Sequence, residues 1–486
     1  MRGMNRRTFL RTAAAGAASL ALGPALARRD RRPNVVFILT DDQRWDGMSC
    51  GGHPFLKTPN MDRIAGEGVR FANMFVTTSL CSPCRASYLS GLYAHTHKVI
   101  NNFTDYPVNL PSYHRRLRDA GYETAYIGKW HMGEQSDEQR PGFDYWASHK
   151  GQGKYFDNTF NINGTRESLK GYYTHRVTEL AVDWLRRPRG RPFLLILGHK
   201  AQHCPFEPEP KYAHAFDDVK IEKPPTWNDT GEGKPEWVRQ RVPTWHGIDG
   251  PLFGAKTYDN FIRTYLGTLL SVDDSVGEVY EALKAMGELD NTLLLYGSDN
   301  GFMIGEHGAV DKRTMYEESI RVPLLVRYPE LIREPRVVNE MVLSEDVAPS
   351  ILDICGVKPL RNIHGMSWKN LVRGWAIWGR RSWYYAYNYE KEFPYTPNVR
   401  GVRTRDWKYI HYPNGDDQPD KYIAELYNLK DDPLETKNLI VHPEAQEKLR
   451  ELKAELRRLQ EVTGALPDEM PVNPEIKTGL PEESIR

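Results

Sequence analysis

The segment Cys81-Ser82-Pro83-Cys84-Arg85 brings a thiol, a helix-starting proline and a fixed cation together within five residues. With Ala86-Ser87-Tyr88-Leu89 following, Cys81 falls at or near a helix N-terminus, where the dipole and free backbone N–H groups favour an anion. Such a place suits a nucleophile and a charged substrate. The same cysteine pair also fits half a zinc site or a redox Cys-x-x-Cys. No second Cys-x-x-Cys exists and Cys50, Cys204 and Cys355 are scattered, which disfavours a four-cysteine zinc site. A redox pair gives no reason for Arg85 at its fixed offset. Four apolar runs elsewhere end in polar clusters: 35–39 in Asp41-Asp42, 124–127 in Gly128-Lys129-Trp130-His131, 193–197 in His199 and His203, and 293–296 in Ser298-Asp299-Asn300. Continuous runs of this kind are strands buried on both faces of a parallel sheet. Ligands in open α/β sheets bind at the carboxyl ends of strands, so the four clusters are expected to converge on one site.

Helical patterns at 111–120, 174–185 and 265–286 alternate with these runs, giving an α/β fold with a large, mostly parallel (mixed) sheet sandwiched by helices. After about residue 370 the texture changes. Aromatic strands at 383–389, 399–412 and 425–429, separated by breaks such as Pro413-Asn414-Gly415, predict a small antiparallel sheet. A long helix follows, with Pro443 at its start and Leu449, Leu452, Leu456 and Leu459 along one core-facing side. The expected organisation is a catalytic domain at 33–370, a smaller α+β domain at 371–466 and a tail at 467–486.

Residues 1–27 hold Arg2, Arg6, Arg7 and Arg11, no acid, an Ala/Leu-rich run and the small-residue site Ala25-Leu26-Ala27. That is the layout of a secretory signal. Arg6-Arg7-Thr8-Phe9-Leu10 directly before the run points to the twin-arginine route, and hence to a periplasmic or secreted protein. No stretch approaches the roughly 18 continuous apolar residues of a membrane span, so no membrane insertion of the mature chain is expected. The chain has 65 Lys+Arg against 64 Asp+Glu, a net charge of +1, which argues against a nucleic-acid partner. Five cysteines in 486 residues exclude a disulfide-built scaffold.

The Cys-x-Pro-x-Arg stretch, continued through Ala86-Ser87 to Ser90-Gly91, resembles the hallmark of the type I sulfatases of the alkaline-phosphatase-like superfamily. Asp41-Asp42, Gly128-Lys129-Trp130-His131, His203 before Pro205, Ser298-Asp299-Asn300-Gly301 and Lys312 ahead of Arg321-Val322-Pro323 follow in the family's order. The resemblance implies that Cys81 is oxidised to Cα-formylglycine by a formylglycine-generating enzyme. It also implies a calcium site formed by Asp41, Asp42, Asp299 and Asn300, with residue 81 near the ion. The donor chemistry agrees, since carboxylates and an amide oxygen suit Ca²⁺, or less well Mg²⁺, over a thiophilic metal. Taken singly, Asp41-Asp42 reads as a capping turn and Asp299-Asn300-Gly301 as a tight turn.

The implied reaction is sulfate-ester hydrolysis. A hydrated aldehyde at 81, favoured by the metal and Arg85, attacks sulfur, and Lys129 and Lys312 bind the sulfate oxygens. His203 with Lys312 protonates the leaving oxygen, and His131 takes the proton from the second hydroxyl so that sulfate is expelled. Stretches 155–164, 393–398 and 407–410 further resemble bacterial N-acetylglucosamine-6-sulfatases and mucin-desulfating enzymes, implying a sulfated carbohydrate substrate. The aromatic residues at 383–412 serve either as stacking faces for a sugar or as strand packing. Competing readings are a phosphonate or phosphate ester hydrolase of the same superfamily, a non-catalytic glycan-binding relative, and a zinc or redox protein using Cys81 and Cys84.

Overall fold

A computed structural model describes residues 32–229, 233–375, 378–413, 421–469, 471 and 476–479. The expected signal segment at 1–27 and the break at Asn414-Gly415 lie outside the described residues. The strand Asn34–Thr40, buried along its whole length, sits in the middle of a ten-stranded mixed sheet. Thr292–Ser298 and Phe193–Gly198 flank it in parallel, and Glu123–Gly128 and then Tyr145–Ser148 extend the parallel block. Register puts Thr40 opposite Ser298, Leu39 opposite Gly198, and Gly128 opposite Gly198. The chemistry-bearing strand ends therefore lie side by side at one edge of the sheet.

Antiparallel pairs occur only outside this block among the described strands of the sheet. Leu324–Arg327 runs against Thr292–Ser298, and the hairpin Phe156–Ile162 with Thr165–Tyr172 continues from Tyr145–Ser148. Period-two alternation along the central strand feeds two cores. Val36 and Ile38 pack with the helices Pro59–Gly66, Tyr173–Leu185 and Tyr258–Ala285 on one face. Val35, Phe37 and Leu39 pack on the other, with Cys81–Ser90, Tyr113–Asp119 and Val347–Ile354. The expected mixed sheet between helical layers is observed.

Boundaries moved where capping chemistry decided them. The helix expected at 265–286 starts at Tyr258, because the Thr257 hydroxyl accepts the Asn260 N–H at 3.1 Å and caps it. The run 399–412 divides into Val399–Thr404 and Trp407–His411, a hairpin turning at Arg405-Asp406. With Ser382–Tyr387 and Glu425–Asn428 these strands form the four-stranded antiparallel sheet. The helix Gln446–Thr463, entered through a 3-10 turn at Pro443–Ala445, lays Leu449, Leu452, Leu456 and Leu459 on Tyr384, Val402, Tyr409 and Leu426.

From Pro33 onward the contacts form one compact unit. A shared core explains this: Phe75, Leu80, Met315, Tyr316 and Ile320 pack with Trp383, Tyr385, Tyr387 and Tyr427 of the antiparallel sheet. Described residues of the tail pack against this sheet. Asp468 accepts two bonds of 2.7 Å from Arg400, the Pro471 carbonyl accepts from Asn398 Nδ2 at 3.0 Å, and Ile476 is buried. Among the described residues, no helix is long and apolar enough to cross a membrane.

Candidate active site

Cys81 is the first residue of the fully buried helix Cys81–Ser90, and its Sγ lies 3.5 Å from Asp41 Oδ1 at the end of the central strand. One free donor of the helix start, the Ser82 N–H, is taken by Asn102 Oδ1 at 3.0 Å. Arg85, one turn on, ties three strand ends together. Its Nε donates to Asp299 Oδ2 at 2.8 Å, its Nη2 to Asp41 Oδ2 at 3.3 Å and its Nη1 to the Lys129 carbonyl at 2.7 Å. Lys129 Nζ donates to Asp41 Oδ2 and to Gln152 Oε1. Lys312 Nζ donates to Asp42 Oδ1, which also accepts Asn300 Nδ2 at 2.6 Å.

Backbone shape sets these positions. Asp42 takes a left-handed conformation, φ 55°, with its N–H donating to Asp299 Oδ1 at 3.3 Å. Gly128 sits at φ 101°, and a Cβ there would lie 2.0 Å from the Gly198 carbonyl oxygen. Only glycine lets the two strand ends close so that Lys129 emerges between them.

His203 Nδ1 is 2.7 Å from the Cys204 carbonyl, and ligand-type atoms of His203, Asp41 and Cys81 lie within 4.8 Å of one another. His131 adjoins the cluster. Its carbonyl accepts from Ser82 Oγ and its Nε2 is 2.7 Å from Glu134 Oε1. All the site residues expected from sequence thus gather around the start of one helix. Cys84 is not among these ligand-type groups; it belongs to the apolar core on this face of the sheet, where burial pushes its thiol pKa well up. His199 Nε2 faces Ser275 Oγ at 3.2 Å, His97 Nε2 faces Ser87 Oγ at 3.2 Å, and His95 Nε2 faces the Thr463 carbonyl at 2.9 Å.

Three buried carboxylates this close cannot be electrically alike. Burial opposes the charge on Asp41, but Lys129, Arg85 and Lys312 outweigh it and hold the carboxyl well below the usual range. Asp42 is pushed up to about 7 by burial, with repulsion from Asp41 and Asp299 adding to it and Lys312 opposing. Asp299 is raised by burial and by Asp41. Burial and the Asp41 charge drive the Cys81 thiol well above its ordinary value, so at neutral pH it is not a thiolate.

The donor set fits a hard divalent cation. Asp42 Oδ2 and Asn300 Oδ1 are buried oxygens with no hydrogen-bond partner, a costly state that an ion between them relieves. Ligand-type atoms of Asp41, Asp42, Cys81 and Asp299 lie within 4.8 Å of one another, and the acceptors among them are carboxylates.

A cavity of about 530 Å³ adjoins this cluster at His203 and is lined also by Glu134, Gln152, Lys200, Glu392 and Phe393. Gln152 and Lys200 were not read from sequence. Lys200 follows His199 at a strand end, which was a usable signal; Gln152 gave none. The aromatic strands at 383–412 face inward. Trp383, Tyr384, Tyr385, Tyr387, Tyr409 and Tyr412 are core residues, so their packing role, and not sugar stacking, accounts for the surplus.

Residues 33–357 match the sulfatase family model, and residues 305–462 match the model described as N-sulphoglucosamine sulphohydrolase, C-terminal. An N-acetylglucosamine-6-O-sulfatase of Bacteroides thetaiotaomicron is 32% identical, over 88% of this chain and 86% of that protein. The human N-acetylglucosamine-6-sulfatase is 33% identical over 72% of this chain, which spans only 66% of the human protein. A solved structure, BT4656 in complex with its substrate D-glucosamine-2-N,6-O-disulfate, superposes with a TM-score of 0.82 at 32% identity, covering 90% of this chain and all of that one. The strand-end cluster, the helix at Cys81 and these matches over most of the chain agree: this protein belongs to the type I sulfatase family of the alkaline-phosphatase-like superfamily.

Proposed function

We propose that this chain hydrolyses sulfate esters of carbohydrate, with the 6-O-sulfate of an N-acetylglucosamine-type sugar as substrate. The observation that carries the reading is the anion cradle at Cys81, where Arg85, Lys129 and Lys312 converge beside three carboxylates. The named activity of the bacterial relative and the sugar held by the similar solved structure support the substrate. The segment at 1–27 supports export by the twin-arginine route.

The Cys-x-Pro-x-Arg stretch beginning at Cys81 supports conversion of this residue to Cα-formylglycine by a formylglycine-generating enzyme, and the buried thiol itself, with its pKa pushed up, would serve poorly as a nucleophile. Hydrated, that aldehyde supplies two hydroxyls on one carbon, one to attack sulfur and one whose ionisation lets the carbon expel sulfate. Asp41, Asp42, Asp299 and Asn300, with residue 81 nearby, would hold Ca²⁺, which supplies positive charge next to the sulfate oxygens.

The chain's own groups do the rest. Lys129 and Lys312 bind the sulfate oxygens, so that charge developing in the transition state meets fixed cations in a buried site. Arg85, held by Asp41 and Asp299, favours the ionised hydroxyl. His203 with Lys312 delivers a proton to the leaving sugar oxygen. His131, oriented by Glu134 at 2.7 Å, removes the proton from the second hydroxyl.

Sulfate release from N-acetylglucosamine 6-sulfate is expected at a higher kcat/KM than phosphate or phosphonate ester hydrolysis; a phosphate preference overturns the reading. Mass spectrometry of the peptide spanning Cys81 is expected to show a loss of about 18 Da, and Cys81→Ala to abolish turnover in folded protein. Unmodified cysteine in active enzyme contradicts this. Replacing His203 with Ala is expected to cost about 10²–10⁴-fold on the sugar sulfate and far less on 4-nitrophenyl sulfate, whose leaving oxygen needs no proton. Equal losses remove His203 from the acid role. In the metal-free protein Asp42, with its pKa raised to about 7, favours the fold when protonated, so its contribution fades as pH rises through that value. Calcium needs the deprotonated form, so the rise in Tm on adding Ca²⁺ after chelation is expected to grow between pH 5.5 and pH 8. A pH-independent rise counts against Asp42 as a ligand.

A further inference from the structure

We propose that Glu390, on the loop that follows the strand Ser382–Tyr387, is a positioning residue that holds Lys312 at the sulfate through Arg313 and Asp311. This rests on the reading of Lys312 as a sulfate-binding and proton-delivering group.

Lys312 stands between two residues in unfavourable backbone conformations, Asp311 at φ 90° and Arg313 at φ 79°. Side chains other than glycine avoid this region, so the turn keeps its shape only if its surroundings over-determine it. The surroundings are charged and fully buried. Arg313 Nη1 donates to Asp311 Oδ2 at 2.5 Å, closing a loop around the lysine, and Arg313 Nε donates to Glu390 Oε2 at 2.6 Å. The Tyr387 hydroxyl donates to the same Glu390 oxygen at 3.0 Å, which fixes the carboxylate in turn. Backbone contacts complete the hold. The Arg313 N–H donates to the Ser79 carbonyl at 3.2 Å, two residues before Cys81, and Arg241 Nη2 donates to the Lys312 carbonyl at 3.3 Å.

Glu390 is the component that comes from the loop leaving the antiparallel sheet. Without it Arg313 keeps one carboxylate for a buried cation, and the guanidinium is free to swing toward solvent or toward Asp311 alone. Either movement drags the strained turn and with it Lys312 Nζ, now bonded to Asp42. Such a displacement matters more for rate than for folding, since misplacing a catalytic group by about 1 Å can cost on the order of 10²-fold. Glu392 and Phe393 of the same loop line the substrate cavity, and the Arg313 guanidinium lies 4.9 Å from the Phe393 ring. One loop therefore forms a cavity wall and anchors a charged group of the sulfate cradle.

The test is a double-mutant cycle on the full-length, matured enzyme, read with N-acetylglucosamine 6-sulfate and 4-nitrophenyl sulfate. Glu390→Ala is expected to lower kcat/KM on the sugar sulfate about 10–100-fold, with a clearly smaller loss on the nitrophenyl ester, and Glu390→Gln to fall in between. In a Lys312→Ala background the same change is expected to add less than about threefold, because the group it positions is gone. A purely structural brace gives equal losses on both esters and losses that multiply with those of Lys312→Ala; either result overturns the proposal. Should Glu390→Ala not fold, the isosteric Glu390→Gln carries the same comparison, and wild-type activity in it overturns the proposal as well. If Lys312→Ala alone costs nothing, the role given to Lys312 falls first and the positioning role with it.

Discussion

The organising constraint of this molecule is the crowding of Asp41, Asp42 and Asp299 at the ends of two adjacent parallel strands. Register puts Thr40 beside Ser298, so the next residues of both strands must leave the sheet at the same place, and each carries a carboxylate. Buried like charges repel strongly, and the cluster persists only because Arg85, Lys129 and Lys312 reach into it from three other segments. Each cation arrives on a different element: a helix, a strand end and a strained turn. The tertiary fold, and not any one segment, makes the site electrically tolerable. Removing one partner of a buried pair typically costs about 3–5 kcal/mol, because the remaining charge stays behind uncompensated. The anion cradle and the stability of the sheet edge are thus one set of interactions.

Within that set Lys129 and Lys312 are bonded to carboxylates, while the buried Asp42 Oδ2 and Asn300 Oδ1 have no hydrogen-bond partner. A divalent cation among these oxygens would satisfy them and weaken the lysines' hold on Asp41 and Asp42, leaving both ammonium groups available to an anionic ester. The proposed metal and the proposed substrate are then complementary, since each supplies what the other's partners lack.

Much of this was legible in the sequence. Apolar runs ending in acids, lysines and histidines announced parallel strands with chemistry at their carboxyl ends, because a strand buried on both faces leaves polar residues no other place. Cys81 was legible as a residue at a helix start, and its pairing with Arg85 through the Cys-x-Pro-x-Arg stretch that resembles the sulfatase hallmark. What escaped depended on partners far away in the chain. Gln152 is an ordinary polar residue in a glycine-flanked loop until Lys129 is placed beside it. Glu390 is one acid among many until Arg313, 77 residues earlier, turns toward it. The aromatic strands were ambiguous for another reason: alternation marks a face as buried or exposed but does not say what covers it, and here a shared core covers it.

The division of labour between elements has an evolutionary consequence that follows from mechanics alone. The groups proposed to face sulfate stand on strand ends, a buried helix and a strained turn, all joined in one charge network. The groups facing the rest of the substrate cavity, Gln152, Glu392 and Phe393 among them, stand on loops. Loops change length and composition at little cost to a core, so the cavity is free to vary while the cradle is not. Glu390 is where this separation breaks down, because it belongs to the cavity-wall loop by position and to the fixed network by its bond to Arg313. A loop tied in this way can change at the exposed Glu392, provided that Phe393 keeps its place on the Arg313 guanidinium and the carboxylate two residues before Glu392 stays in place.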